Sequence, residues 1–306
     1  MDAWKRLVDI LSGTKTYDIA MASIEVDSKN ARKTFDCPNA YKYAKILQQK
    51  DKKNWCEWHY NTAGNANAAK IAKNFRRKFE ETNASSSISD KIAIIDEVIR
   101  EIKPLIKDWD ENMKNFKVNS DEQILESIFT AYTSSQELTS FINKDLAANT
   151  YHALELYCTS LNCPILARTE AYTEAFTSIL FHPLSKKYHF TEECKLYRGC
   201  IIADEELVGN YKKGNTIITT TFLSASTDPA VVVPYITDAP TDAIAIRCEY
   251  EINNNHCCTA LDLRGVCKKK EEEILILRYT PFEITSAIQS ESGGHMEVHF
   301  REYEEQ

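Results

Sequence analysis

Glycine and proline are scarce in this 306-residue chain, eight of each, which excludes collagen-like and Pro/Gly-rich low-complexity classes. No stretch reaches the about 20 apolar residues that a membrane-spanning helix needs. The opening Met1-Asp2-Ala3-Trp4-Lys5-Arg6-Leu7-Val8-Asp9-Ile10 lacks an apolar core of signal-peptide length. A cytoplasmic protein with no membrane partner is the expectation. An excess of positive charge is missing too: 37 Lys and Arg stand against 45 Asp and Glu, a net charge of -8. That balance argues against a general nucleic-acid binder, although Arg76-Arg77-Lys78 and Lys268-Lys269-Lys270 are local basic runs. Ten cysteines are present, but metal-ligand spacing is not. Cys257 and Cys258 are adjacent, and His256 and Cys267 do not complete a zinc pattern, so no metal is expected. Without an export signal the cysteines read as reduced thiols, several of them small buried hydrophobes. No internal repeat or long low-complexity tract occurs.

What is there is an ordinary globular composition, 43% apolar and 27% charged. At about 150 residues per domain, the length suits two modest cores. Up to about Glu111 the pattern is helical: Ala40 to Gln49, Ala66 to Phe79 and Ile88 to Ile106 carry apolar residues at three- and four-residue steps. Strand signals are nearly absent there. Residues 81–90 form a polar connector in which Ser89 or Asp90 is expected to cap the next helix. The polar, broken stretch from Asp108 to Asp121 marks the expected boundary between a helical region, 1–118, and a second domain, 119–306.

Helical spacing continues over Glu122 to Tyr132, Ser135 to Leu161 with an interruption near Lys144, and Leu166 to Phe181. After Pro183 the chain turns to Ile, Val, Thr, Tyr and Phe. Strands are predicted over Lys195 to Ile202, Thr216 to Ser226, Ala243 to Ile252, Thr259 to Leu263, Glu272 to Tyr279 and His295 to Tyr303. Helices followed by a run of strands is an α+β order.

Three short segments carry candidate chemistry. Glu271-Glu272-Glu273 heads the apolar run Ile274-Leu275-Ile276-Leu277. In a strand, Glu271 and Glu273 project to one face and Glu272 to the other. Taken alone, the three acids also fit a solvated strand end that balances Lys268 to Lys270. In Phe222-Leu223-Ser224-Ala225-Ser226 the same alternation sets Ser224 and Ser226 beside each other on the face of Phe222, where hydroxyls can orient a carboxylate or a ribose. In Lys195-Leu196-Tyr197-Arg198-Gly199-Cys200 a single arginine sits inside an apolar strand and calls for an anion, whether a ligand or a structural partner.

An arginine in a first strand, Phe-x-Ser-x-Ser in the next, and Glu-x-Glu heading a late apolar strand together resemble the arginine-serine-glutamate family of mono-ADP-ribosyltransferases. The resemblance spans roughly Ser120 to Tyr303, with Lys213-Gly214 and the stretch from Asp228 to Tyr235 matching the family's connecting elements. It implies an ADP-ribosyltransferase fold, a split mixed or antiparallel β-sandwich with flanking helices, here preceded by the helical N-terminal region. It also implies NAD as substrate and a protein as acceptor. Arg198 would grip the pyrophosphate, and Gly199 would let the backbone approach the nicotinamide amide. Ser224 would hold Glu273, and Glu273 would stabilise the opening ribose. Glu271 would receive the acceptor's proton, a position where Glu accompanies arginine as acceptor. Tyr197, Phe222, Ser226 and Tyr235 would complete the NAD site.

The chain departs from the family at Val266 and Lys268, where a hydroxyl and an aromatic are usual. It departs again at Val232, Pro234 and Tyr235, in the helix after the serine motif. Two other readings share these residues: an NAD glycohydrolase, with water as acceptor, and a catalytically silent NAD-binding module. In the silent reading, the N-terminal region around Trp55 to Trp58 and Lys70 to Lys78 recruits partners.

Overall fold

The computed structural model describes residues 58–61, 70, 72–79, 87–101, 120–154, 164–202, 211–237, 239, 243–253, 258–266, 273–289 and 295–303. The helix expected over Ala40 to Gln49, Trp55, the boundary stretch 108–119, and Glu271 lie outside them. Among the described residues, nine strands form one mixed sheet in the order β1-β3-β8-β9-β5-β2-β4-β7-β6. They are β1 (Trp58–Asn61), β2 (Lys195–Ile202), β3 (Thr216–Thr219), β4 (Leu223–Ser226), β5 (Ile244–Glu251), β6 (Ala260–Asp262), β7 (Glu273–Ile276), β8 (Pro281–Gln289) and β9 (His295–Glu302). Only β5 and β9 run parallel among these pairs.

One joint in this sheet differs from the others. β2 pairs with β5 at eight positions but with β4 at one, Tyr197 to Ser226. Six strands therefore lie on one side of the joint and three, β4, β7 and β6, on the other. The two parts fold toward each other over a shared core: Leu196, Ile246, Tyr250 and Phe300 from the larger part meet Leu223, Ala225, Ile274 and Ile276 from the smaller. The opposite face of the smaller part packs on helices α2 (Ile88–Glu101), α3 (Asp121–Ser134), α4 (Gln136–Leu154) and α5 (Pro164–Leu180). Alternation explains how three strands serve two cores. Leu275 and Phe222 face the helices, whereas Ile274, Ile276 and Leu223 face the larger sheet. The architecture is the α+β split sandwich with flanking helices expected from the sequence.

Local chemistry sets the helix ends. The Ser120 hydroxyl accepts from the Gln123 N–H while the Gln123 side chain accepts from the Ser120 N–H, a reciprocal cap that starts α3. For α2 the cap is Ser87, whose hydroxyl accepts from the Asp90 N–H at 3.1 Å, and not Ser89 or Asp90 as predicted. α4 runs through Lys144 without the expected interruption. Its polar residues are bonded where they are buried: Tyr132 donates to Asn143 Oδ1 at 2.6 Å, Asn143 Nδ2 donates to the Phe222 carbonyl at 3.4 Å, and Tyr172 donates to Asp145.

Three strand expectations change. The single strand predicted over Thr216 to Ser226 is two, because the Thr219 backbone turns aside to exchange hydrogen bonds with Tyr279 and Thr280. β8 was not predicted. It opens on Pro281, tolerable at a first strand position, and a register shift between Ile284 and Ser286 breaks its alternation. β1 lies in a stretch that read as helical and pairs with β3 along its whole length.

N-terminal residues also reach the core through α1, a helix over 72–79. Phe75 stacks on Tyr279 with ring centroids 4.3 Å apart, and Arg76 Nη2 donates to the Thr280 hydroxyl at 2.5 Å. Tyr279 takes a left-handed backbone, φ 62°, a conformation that costs a non-glycine residue about 1–2 kcal/mol. The Phe75 ring and the Arg278 guanidinium, 4.2 Å from its centroid, hold it there. Arg278 is fully buried, donating to Thr177, Thr150 and the Leu146 carbonyl, and among the described residues no carboxylate pairs with it. Burial pushes its pKa down.

Two outcomes follow. Arg278→Ala should cost about 2–5 kcal/mol, as for other large buried side chains cut to alanine. Arg278→Met should cost less, because Thr150 and Thr177 already donate to the carbonyls one turn back; urea unfolding measures both. A chain beginning near Asn119 loses β1, α1 and α2 and should melt well below the full chain by circular dichroism. An unchanged melting temperature would make 1–118 an independent region.

Candidate active site

The cleft opens where β2 and β4 diverge beyond their single bridge. Tyr197, Arg198, Gly199, Ser224, Ala225, Ser226, Val231, Tyr235 and Glu273 line it. Its volume, about 80 Å³, lies below the roughly 300–1,000 Å³ range of small-molecule sites, so a large ligand would lie partly outside it. Three segments far apart in sequence thus supply seven of the nine lining residues, and the connection after β4 supplies the other two, Val231 and Tyr235.

On β2, alternation sends Leu196, Arg198 and Cys200 to one side and Tyr197 and Gly199 to the other. Leu196 and Cys200 pack in the core between the two sheet parts. Arg198 leaves that side across the gap to β4, where its Nη1 donates to the Ser224 carbonyl at 2.8 Å. That bond fixes the guanidinium at the cleft. Tyr197 faces the cleft with the Arg247 guanidinium 5.6 Å from its ring centroid.

β4 is held from behind. Phe222, 1% exposed, sits in the helix-side core with Phe176 and Tyr132, ring centroids 5.9 and 6.1 Å away. Burying such a ring stabilises by about 1.5–3 kcal/mol. Phe222 therefore anchors the strand and is not among the cleft-lining residues. Ser226 directly opposes Glu273, and Ser224 opposes Leu275. The Ser226 hydroxyl accepts from the Asp228 N–H at 3.1 Å, and Asp228 caps the 3₁₀ turn Pro229–Val232 that follows. Helix α6 (Val233–Thr237) then lays Tyr235 over Gly199.

Glu273 begins β7 and is 6% exposed. The Leu263 N–H donates to its carbonyl at 3.0 Å, which ties it to the end of β6. Just beyond, Arg264 Nε donates to Asp262 Oδ1 at 2.9 Å, while Nη2 reaches Asp262 Oδ2 and Glu192 Oε1, each at 2.5 Å. The bond from Arg264 holds the Asp262 carboxyl below the usual carboxylate range. Asp262, Arg264 and Glu192 were not singled out from the sequence. The only signal was an acid and an arginine two residues apart at a strand end, a pattern that many surface turns share.

A methyl group on Gly199 would lie 2.6–2.7 Å from Cβ, Cγ and Cδ2 of Tyr235. Cβ is fixed by the backbone, so side-chain rotation cannot clear all three contacts. Gly199→Ala should therefore lift α6 and destabilise by about 1–3 kcal/mol, as for other overpacked sites. Adding Tyr235→Ala should restore part of the loss in thermal melts, because Cγ and Cδ2 leave while Cβ stays 2.7 Å away. An uncompensated double variant would mean that Gly199 serves something other than close packing.

No family model matches this chain, and no curated protein sequence matches it. Solved structures do resemble it. An ADP-ribosyltransferase from Clostridium botulinum is 13% identical over 66% of this chain and 96% of its own, with a TM-score of 0.42. Vis toxin, an ADP-ribosyltransferase from Vibrio splendidus, is 16% identical over 85% of this chain and 90% of its own, with a TM-score of 0.36. Exoenzyme S from Pseudomonas aeruginosa, in complex with human 14-3-3 protein beta and bound to carba-NAD, is 14% identical over 70% of this chain and 88% of its own, with a TM-score of 0.39.

Proposed function

We propose that this chain cleaves NAD between nicotinamide and ribose and transfers the ADP-ribose to a protein, with arginine as the accepting residue. The observation that carries the reading is the meeting of Arg198, Ser224, Ser226 and Glu273 in one cleft, from three strands that share no sequence neighbourhood.

The residues present suit such a substrate. A guanidinium offers planar paired donors that match a diphosphate, and Arg198 stands at the cleft with Nη1 fixed by a carbonyl. Gly199 has no side chain, and Tyr197, Val231 and Tyr235 supply apolar and aromatic wall. Glu273, buried at the cleft, meets the ribose. When the glycosidic bond opens, its electron pair leaves with nicotinamide and positive charge develops on the ribose ring. A fixed carboxylate that accepts a hydrogen bond from a ribose hydroxyl stabilises that charge. The nitrogen of the accepting guanidine then bonds to the ribose carbon and loses its proton to Glu271. The hydroxyls of Ser224 and Ser226 orient the carboxylate and the ribose.

Glu273→Gln should lower nicotinamide release by at least about 10²-fold, the scale of losing one preorganised transition-state contact. Arg198→Lys should raise the KM for NAD about tenfold, because a point charge replaces the fork. Glu271→Gln should keep NAD hydrolysis and lose transfer to agmatine; equal loss of both would remove Glu271 from the acceptor's path. Labelled NAD offered with agmatine and a cell lysate tests the whole reading. Nicotinamide release without label transfer would make the chain a glycohydrolase. NAD bound without nicotinamide release would make it a binding module.

A further inference from the structure

The two parts of the sheet that bear Arg198 and Glu273 are joined directly by one bridge pair. A second tie runs around the far side of the smaller part. The chain that leads into β2 lies along β6: His189 bridges Leu261, and the Phe190 N–H donates to the Ala260 carbonyl at 2.9 Å. Two residues further on, Glu192 accepts from Arg264, and Arg264 is forked onto Asp262. Asp262 pairs with Ile274, and the next residue, Leu263, donates its N–H to Glu273. The path from the lead of the Arg198 strand to the Glu273 backbone thus starts with this backbone pairing and is carried to the end of β6, nearest Glu273, by one guanidinium.

We propose that Arg264, held between Asp262 and Glu192, is a positioning residue that sets Glu273 against Arg198. This rests on the proposed NAD cleavage for its kinetic consequence, though not for its structural one. Arg264 itself does not line the cleft. Its guanidinium couples the end of β6 to the segment entering β2, so the two halves of the site keep one spacing where the sheet ladder is a single rung. A guanidinium suits the task because its donors are set in a rigid plane, so binding Asp262 through two nitrogens aims the remaining reach at Glu192. Lysine can pair with either acid but cannot fix their relative orientation.

The test compares the full chain with Arg264→Ala, Arg264→Lys and Glu192→Gln, reading three quantities. Nicotinamide release gives kcat, equilibrium titration gives the NAD dissociation constant, and amide hydrogen exchange reports the Leu263 N–H. Expected for Arg264→Ala are a kcat lowered about tenfold, an NAD dissociation constant within about twofold, and faster Leu263 exchange. Arg264→Lys should recover part of kcat, and Glu192→Gln should lie between the two. Loss of NAD affinity in step with kcat would show mere destabilisation and overturn the proposal. Faster Leu263 exchange with kcat unchanged would overturn it as well, as would unchanged exchange. If the unsubstituted chain releases no nicotinamide, the proposed function fails, while the exchange result still decides whether Arg264 holds Glu273 in place.

Discussion

The single backbone bridge between Tyr197 and Ser226 is the constraint on which the site depends. A fully laddered sheet would bury β2 and β4 side by side, with no room between them for anything but their own side chains. Divergence after one pair opens a cleft at the point where an arginine and two serines sit. It also lets the smaller three-strand part turn over the larger, so that both faces of β4 and β7 are covered. The cavity and the double core are the same geometric event.

Holding an opening of this kind requires support from outside the ladder, and the structure provides it on each side. Phe222 is fixed in the helix-side core with its carbonyl held by Asn143. Arg198 reaches across to the Ser224 carbonyl. α6 closes onto β2 through the contact between Tyr235 and Gly199. Glu273 is bonded through its backbone to Leu263 beside the Asp262, Arg264 and Glu192 cluster. The buried cation Arg278 does a related task at the other end of β7. There it joins α4 and α5 to the turn that carries Tyr279, and its burial is eased because three of its donors find oxygen acceptors.

Much of this was legible along the chain. β2 falls where the strand pattern of Lys195 to Ile202 put it, and the apolar run after Glu273 is a strand buried on both faces. The strand expectations that failed did so where a local pattern was overruled by a distant partner. The Thr216 to Ser226 segment has continuous strand composition, yet Thr219 bonds to Tyr279 and Thr280, 60 residues later, and the strand divides. β8 hides its period behind a register shift, and β1 forms because β3 offers an edge that composition at Trp58–Asn61 cannot reveal.

What the sequence determined is what short-range physics controls. It set the residue types at each strand end, the alternation that keeps Ser224 and Ser226 on one side, and the run of strands that follows the helices. Only the tertiary structure decided that Ser226 and not Ser224 stands opposite Glu273, that Phe222 belongs to the helix-side core, and that Tyr235 covers Gly199. Register across strands and approach between distant side chains depend on how two packed layers fit together, and no window of neighbouring residues contains that information.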